Sequence, residues 1–210
     1  MQGALLPLFP LELVLFPRTP LPLHIFEDRY KEMIGAAIRN KSEFGIVQAG
    51  DKGIVTTGCS ATVERVIQEY PDGRMDILVV GRRRFEIVAL DDEKDYLRGS
   101  VEFFEDEDSI PAPHELRVKA IQRFEELKNF EQAQVLGEPE IGDPQLSFQL
   151  AQLVSDLGFR QLLLVTRSEA ERLKQITDFI PGYVAKQKKI AEVRAVAPKN
   201  GHTNWPADGA

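Results

Sequence analysis

Five prolines fall in the sixteen residues from Pro7 to Pro22, set among Leu, Val, Ile and Phe in PLFPLELVLFPRTPLPLHIF. Proline has no amide donor, holds φ near about −65° and pushes the residue before it toward extended geometry. This stretch therefore cannot be a helix, nor an unbroken strand in the middle of a sheet. It reads as short strands, Glu12–Phe16 among them, separated by edge-like breaks. After Phe26 the period changes. Phe26, Tyr30, Met33, Ile34, Ala37 and Ile38 recur at helical spacing, and Glu27 and Asp28 sit in the first turn, where acids complement the helix dipole. That spacing predicts one helix over Glu27–Arg39, ending near Asn40.

From Phe44 a strand pattern returns in FGIVQAG, GIVTTGCSATVERVIQEY, RMDILVVGRRRFEIVAL and YLRGSVEFFED. Val63, Arg65, Ile67 and Glu69 alternate into Asp72–Gly73, a strong hairpin signal, and Met75 to Val79 follow. Strands at regular spacing with short turns predict a closed or nearly closed barrel, which removes exposed edges. The acidic run EDEDSIPAPHE, Glu105 to Glu115, reads as a solvated linker. Beyond it the periods are helical in HELRVKAIQRFEELKNF, QLSFQLAQLVSDL, FRQLLLVT and SEAERLKQITDFIPGYVAKQKKIAEVRA. Ser168 is the expected N-cap of the last helix, with Glu171 completing a capping box. The tail PKNGHTNWPADGA has no period and is expected to be disordered. The division is thus a β subdomain over 1–108, a helical subdomain over 109–196 and a tail over 197–210, an α+β chain.

The chemistry is bounded by what is scarce. A net charge of −7 with a pI near 5.1 argues against non-specific nucleic-acid binding, which needs an excess of Lys and Arg to displace phosphate counterions. One cysteine, Cys59, makes no internal disulfide and no thiolate zinc site, which points to a reducing compartment. The N-terminus lacks a basic n-region and an uninterrupted apolar run, and no segment reaches the length of a spanning helix. A cytoplasmic protein without a membrane segment is the expectation.

The opening LPLFPLELVLFPRTPLPLHIFEDRYKEMI resembles the LON domain, the N-terminal domain of the ATP-dependent protease Lon, whose pattern runs LPLFPL-x-x-VLFPG-x-x-LPLHIFE-x-RY. DGRMDILVVGRRRFEIV is similar to the later DGR-x-x-I-x-V-x-G-x-x-RF-x-I pattern, and LSFQLAQLVSDLGFRQLLLVTRSEAERLKQI to the helical segment, although GFRQLLLVT lacks the acid of its KQ-x-LLE. Arg18 stands where the family pattern has Gly, a position that favours φ above zero. The resemblance covers Leu5 to Lys186. It implies a PUA-like β pseudo-barrel carrying one helix, followed by an all-helical subdomain, used to recognise polypeptides. It also implies a stand-alone form, since neither the ATPase nor the Ser–Lys protease module of full Lon is present in the 210 residues.

The residues themselves offer no competing chemistry. GIVQAGDKG has no Ser or Thr after its lysine and so is not a phosphate loop, and there is no G-x-S-x-G elbow. His24, His114 and His202 are scattered, and His24–Glu27 makes an H-x-x-E without a second histidine. His24 is expected to be a junction residue of the fold. No catalytic residue, metal ligand or cofactor is expected. Arg82, Arg83 and Arg84 form the sharpest charge feature, readable as a solvated turn or as a patch for an acidic partner or RNA. The expected binding residues are Phe26 and Tyr30 as anchors with Arg29 and Lys31 at the rim, and Arg82–Arg84 as the next candidate. For Phe26 and Tyr30 the more ordinary role, favoured over that of anchor, is packing the helix on the barrel. The expected partners are unfolded or partly folded polypeptides and a protease or its adaptor. The alternative is a PUA-like RNA-binding module.

Overall fold

The structure is a computed structural model that describes residues 5–50, 53–132 and 137–196. Six strands and one helix come first: β1 (Leu6–Leu11), β2 (Pro20–Ile25), α1 (Asp28–Asn40), β3 (Phe44–Gly50), β4 (Gly53–Glu69), β5 (Met75–Asp91) and β6 (Arg98–Phe104). Four helices follow: α2 (His114–Glu131), α3 (Leu146–Leu150), α4 (Leu157–Val165) and α5 (Glu169–Val196). The expected tail over 197–210 lies outside the described residues.

The strands make one sheet in the order β2-β5-β4-β3-β1-β6, and β6 also pairs with β5, which closes the sheet on itself. Closure is possible because β4 and β5 are each 17 residues long and bend at irregular registers. One half of β5 pairs with β2 and the other with β6, from Pro20↔Val80 to Ile25↔Met75 and from Arg84↔Phe104 to Asp91↔Arg98. The Asp72–Gly73 turn joins β4 to β5 as its sequence requires, with Gly73 at φ 81°.

Glu12–Phe16 is not a strand. The prolines divide the opening differently: β1 keeps Pro7 and Pro10, β2 keeps Pro20 and Pro22, and the residues between cross the core irregularly with Val14, Leu15 and Phe16 buried. Their backbone is satisfied from outside the sheet, as where Arg160 Nη2 donates to the Val14 carbonyl at 2.9 Å. Arg18 adopts φ 59°, the left-handed geometry its glycine-like position demands, and its guanidinium pairs with Asp143. The helical half is also more broken than its period predicts. QLSFQLAQLVSDL ends α3 in a 3₁₀ turn at Ala151–Leu153, Val154 is extended, and Asp156 caps α4 by accepting from the Phe159 amide at 2.8 Å. Ser168 does cap α5, accepting from the Glu171 amide at 3.1 Å.

Two apolar clusters form because neighbouring strand residues face opposite ways. Leu8, Val47 and Phe85 centre a small one. Their neighbours Phe9 and Ile46 belong to the large one, which also holds Met33 and Ile34 of α1, Phe124 of α2, Phe148 of α3, Leu163 of α4 and Ile176 of α5. Sheet and helices therefore share one core.

A buried ionic network ties the same halves together. Arg84 of β5 and Arg172 of α5 are 1% and 0% exposed. Arg84 donates to Asp106 at 2.6 Å and to the carbonyls of Leu164 and Thr166. Arg172 donates to both oxygens of Asp106 at 2.6 Å, to Glu169 at 2.8 Å and to Ser147 Oγ at 2.8 Å. Asp108 accepts from the Glu169 amide at 2.6 Å. The acidic run read as a linker is thus a clasp at Asp106 and Asp108, because two buried guanidinium groups require a counter-charge that the run supplies.

Burial alone would raise the Asp106 carboxyl, but the hydrogen bonds and charges of Arg172 and Arg84 outweigh it and hold the group below its ordinary value. A depressed carboxylate stabilises the fold fully above its ordinary value, about 4, and that contribution is lost as pH falls through the folded value. Glu169 acts oppositely: burial raises it, so acidification relieves its cost first. Asp106→Asn is expected to lower stability at pH 7 while flattening its fall below about pH 4, as read by urea unfolding across pH. An unchanged acid limb would show that other carboxylates control it.

Candidate functional site

The junction of β1, β2 and α1 opens into a cleft of about 440 Å³, lined by Phe9, Leu11, Leu23, Phe26, Arg29 and Tyr30 among others. Its floor follows from the helix period. Tyr30 is the first inward position of α1, is 7% exposed and packs on Phe9 of β1 with ring centroids 4.2 Å apart. Phe26 precedes α1, so the helix does not turn it inward. It is 59% exposed. The two expected anchors therefore divide: Tyr30 packs the helix, and Phe26 presents its ring to solvent at the mouth.

Arg29 lies on the rim. Its guanidinium reaches Glu27 at 2.7 Å and covers the Tyr30 ring at 4.6 Å from its centroid, both exposed and local contacts. Burial raises the Tyr30 hydroxyl, partly offset by the Arg29 charge. Lys31 points elsewhere, bonding Asp28 at 3.0 Å and the Asp72 carbonyl at 3.2 Å, and so ties α1 to the β4–β5 turn. Leu11 and Leu23, which wall the cleft, are half-buried residues that helical or strand periodicity alone does not single out.

His24 stands directly opposite Asp76 across β2 and β5, with Nδ1 2.6 Å from Oδ1, while the Tyr70 hydroxyl donates to Oδ2 at 2.8 Å. The bonds from His24 and then Tyr70 hold Asp76 below the usual carboxylate range. The His24 ring also lies 6.0 Å from that of Phe26. Its partner is thus a side chain across the strand pair, and the pair orients the rim of the cleft. Among the described residues no three His, Cys, Asp or Glu side chains come together as a metal site requires.

The outer edge of β2 is exposed but poorly equipped. Leu21, Leu23 and Ile25 must supply the donors to β5, because Pro20 and Pro22 have none, and successive residues point to opposite sides. Toward the open side β2 offers the carbonyls of Pro20, Pro22 and His24 but only one amide, that of His24. Such an edge resists continuous strand addition.

Arg82, Arg83 and Arg84 do not form one patch. Arg82 bonds Thr62 Oγ1 at 2.7 Å and approaches Glu64 at 3.4 Å. Arg83 pairs with Glu43 at 3.0 Å and lies over the Phe103 ring, 3.6 Å from its centroid. Arg84 is the buried member of the clasp. The irregular register here, where β5 takes three steps from Gly81 to Arg84 against two from Cys59 to Ala61 of β4, leaves Arg82 and Arg83 outward and turns Arg84 into the core.

The closed sheet, the single helix after β2 and the helical layer behind them reproduce solved Lon N-terminal domains. A Lon N-terminal domain protein from Xanthomonas campestris superimposes with a TM-score of 0.67 at 24% identity, covering 84% of this chain and 99% of that one. The N-terminal domain of a Mycobacterium avium complex Lon protease gives 0.66 at 18%, covering 85% and 98%. The chain belongs to the ATP-dependent protease La (LON) substrate-binding domain family, whose pattern matches residues 5–181. Among curated relatives, the Lon protease of Parabacteroides distasonis is 34% identical over 113 residues and Lon protease 1 of Hydrogenovibrio crunogenus is 26% identical over 124. These alignments take in 50% and 55% of this chain but only 14% and 15% of the relatives' lengths. No helix among the described residues is long and apolar enough to cross a membrane.

Proposed function

We propose that this chain is a non-catalytic recognition module for unfolded or partly folded polypeptides, acting beside an ATP-dependent protease or its adaptor in the cytoplasm. The observation that carries the reading is the cleft at β1, β2 and α1, where Phe26 stands exposed over an apolar floor with Arg29 at its edge. Exposed aromatic surface beside a guanidinium is the composition of protein-binding hot spots. The donor-poor edge of β2, interrupted by Pro20 and Pro22, favours side-chain capture in the cleft over addition of a strand to that edge. The family description, a substrate-binding domain, agrees with this use.

The RNA-binding alternative draws less support. Its arginine run is split, Arg84 is buried, and the open face of Phe103 is covered by Arg83 rather than left for a base.

The test is fluorescence anisotropy of fluorescein-labelled, reduced and carboxymethylated polypeptide. Phe26→Ala is expected to weaken binding at least tenfold while changing stability by about 0.5 kcal/mol or less, since a half-exposed ring leaves no core cavity. Arg29→Glu is likewise expected to leave the melting temperature nearly unchanged and to alter binding, its present contacts being worth less than about 1 kcal/mol. Tyr30→Ala, by contrast, removes core and is expected to cost about 3–5 kcal/mol. Full binding by both Phe26→Ala and Arg29→Glu would remove the cleft from the mechanism.

A further inference from the structure

At the other end of α1, whose thirteen residues span about 20 Å, a second cleft of about 410 Å³ opens between the helix terminus and β4. Its floor is aliphatic: Ile38 and Val63 are half-buried, and Val66 is 42% exposed. Its walls carry three cations, Lys41, Arg65 and Arg82, against one acid, Glu64. Arg82 is engaged by Thr62 and Glu64. Lys41 and Arg65 are exposed, and neither has an ion pair or side-chain hydrogen bond among the described residues. The backbone of Lys41 is fixed as the left-handed C-cap of α1, its amide donating to the Ala37 and Ile38 carbonyls, and Arg65 lies in β4 opposite Leu78.

Two cations without a side-chain partner among the described residues, both lining one aliphatic groove on a chain of net charge −7, are a local inversion of the surface field. We infer that this cleft docks a short acidic peptide segment of a partner protein, an aliphatic side chain entering between Ile38, Val63 and Val66 while flanking carboxylates meet Lys41 and Arg65. The floor decides between the two polyanions that such cations attract. Sequence-tolerant nucleic-acid sites stack bases on aromatic rings, and this floor has none, whereas branched aliphatic walls fit a Leu or Ile side chain. The site shares no lining residue with the Phe26 cleft and does not depend on the use proposed for it.

Anisotropy with a fluorescein-labelled Glu-Asp-Leu-Leu-Asp-Glu peptide tests the assignment on the full chain. Saturable binding is expected, at least tenfold weaker in the Lys41→Glu/Arg65→Glu double variant and in Val66→Asp, weakened by salt, and unchanged in Phe26→Ala. All three substitutions in the second cleft are at exposed positions, so unchanged melting curves are the accompanying control. Equal binding of Lys-Lys-Leu-Leu-Lys-Lys would overturn the charge argument, and equal binding of Glu-Asp-Ser-Ser-Asp-Glu the aliphatic one. Tighter binding of labelled oligouridylate, lost in the same double variant, would make the cleft a nucleic-acid site and sink the proposal, as would full peptide binding by that variant. Loss of unfolded-polypeptide binding in Phe26→Ala with retained acidic-peptide binding separates the two clefts.

Discussion

Replacing Arg172 with methionine is expected to lower the unfolding free energy by about 3–5 kcal/mol, the usual cost of removing one partner from a buried ion pair. The side chain is fully buried, and its loss would leave the carboxylates of Asp106 and Glu169 facing each other near the remaining Arg84. Methionine fills much of the same volume, so the effect reports charge and hydrogen bonding rather than a cavity. Urea unfolding at pH 7 is the measurement. Adding Glu169→Gln to Arg172→Met should return part of the loss, because it removes a buried carboxylate that no longer has its guanidinium, and the double-mutant cycle measures the coupling. A loss below about 1 kcal/mol for the single variant would mean that water enters the joint and that the clasp is not a stabilising element.

The second large effect is expected from the smallest substitution. Gly81 sits in β5 where it crosses beneath the turn after Phe16, and a Cβ built there would stand 2.1 Å from the Phe16 carbonyl oxygen. Its amide donates to the Thr19 carbonyl at 3.1 Å, and its own carbonyl accepts from the Arg18 amide at 2.8 Å. The obstructing atom is backbone, so no rotamer change relieves it, and the turn that feeds β2 must move. Gly81→Ala is expected to cost about 3 kcal/mol or more, at or above the upper end for added volume in a packed site. Because the displaced turn leads into β2, polypeptide binding at the Phe26 cleft should weaken in parallel. Gly35→Ala is the control: a Cβ there meets only the end of the flexible Arg39 side chain at 3.2 Å. Equal melting temperatures for the two variants would refute the argument from close approach.

The sequence made some of this legible and hid the rest for identifiable reasons. The helix over Glu27–Arg39 and the Asp72–Gly73 hairpin were readable because each rests on local physics, a sustained period and a turn that only certain residues adopt. The strands of the opening are not legible locally, because Glu12–Phe16 is apolar and extended in character, yet its backbone bonds to a side chain from α4 that no local pattern announces. Of the expected binding residues, Phe26 and Arg29 lie at one cleft, and Tyr30 forms its floor. Lys31 turns away toward Asp72, and Arg84 goes into the core. Arg84 is the hardest to read, since the groups it bonds, Asp106, Leu164 and Thr166, lie 22, 80 and 82 residues away in the chain. An acidic run looks like a solvated linker until the buried cations that need it are known. A detectable signal was the arginine inside the apolar stripe of α5, next to Leu173 and a turn before Ile176, where an unpaired charge would be prohibitive.

The circular pairing of the sheet also has a kinetic consequence. β1 is held by β3 in parallel and by β6 through Leu6↔Gly99, so the first strand of the chain finds its last sheet partner only after about ninety intervening residues are in place. Loop-closure entropy makes such a contact late, whereas the β4–β5 hairpin across Asp72–Gly73 costs little to close. The hairpin is the expected nucleus, and φ-values should be high at Val63 and Val79 and low at Leu6 and Gly99. During synthesis the proline-rich segment would then wait, exposed and apolar, until β6 has left the ribosome. Its five prolines, which make it a poor template for strand pairing, would protect the unfinished chain over that interval.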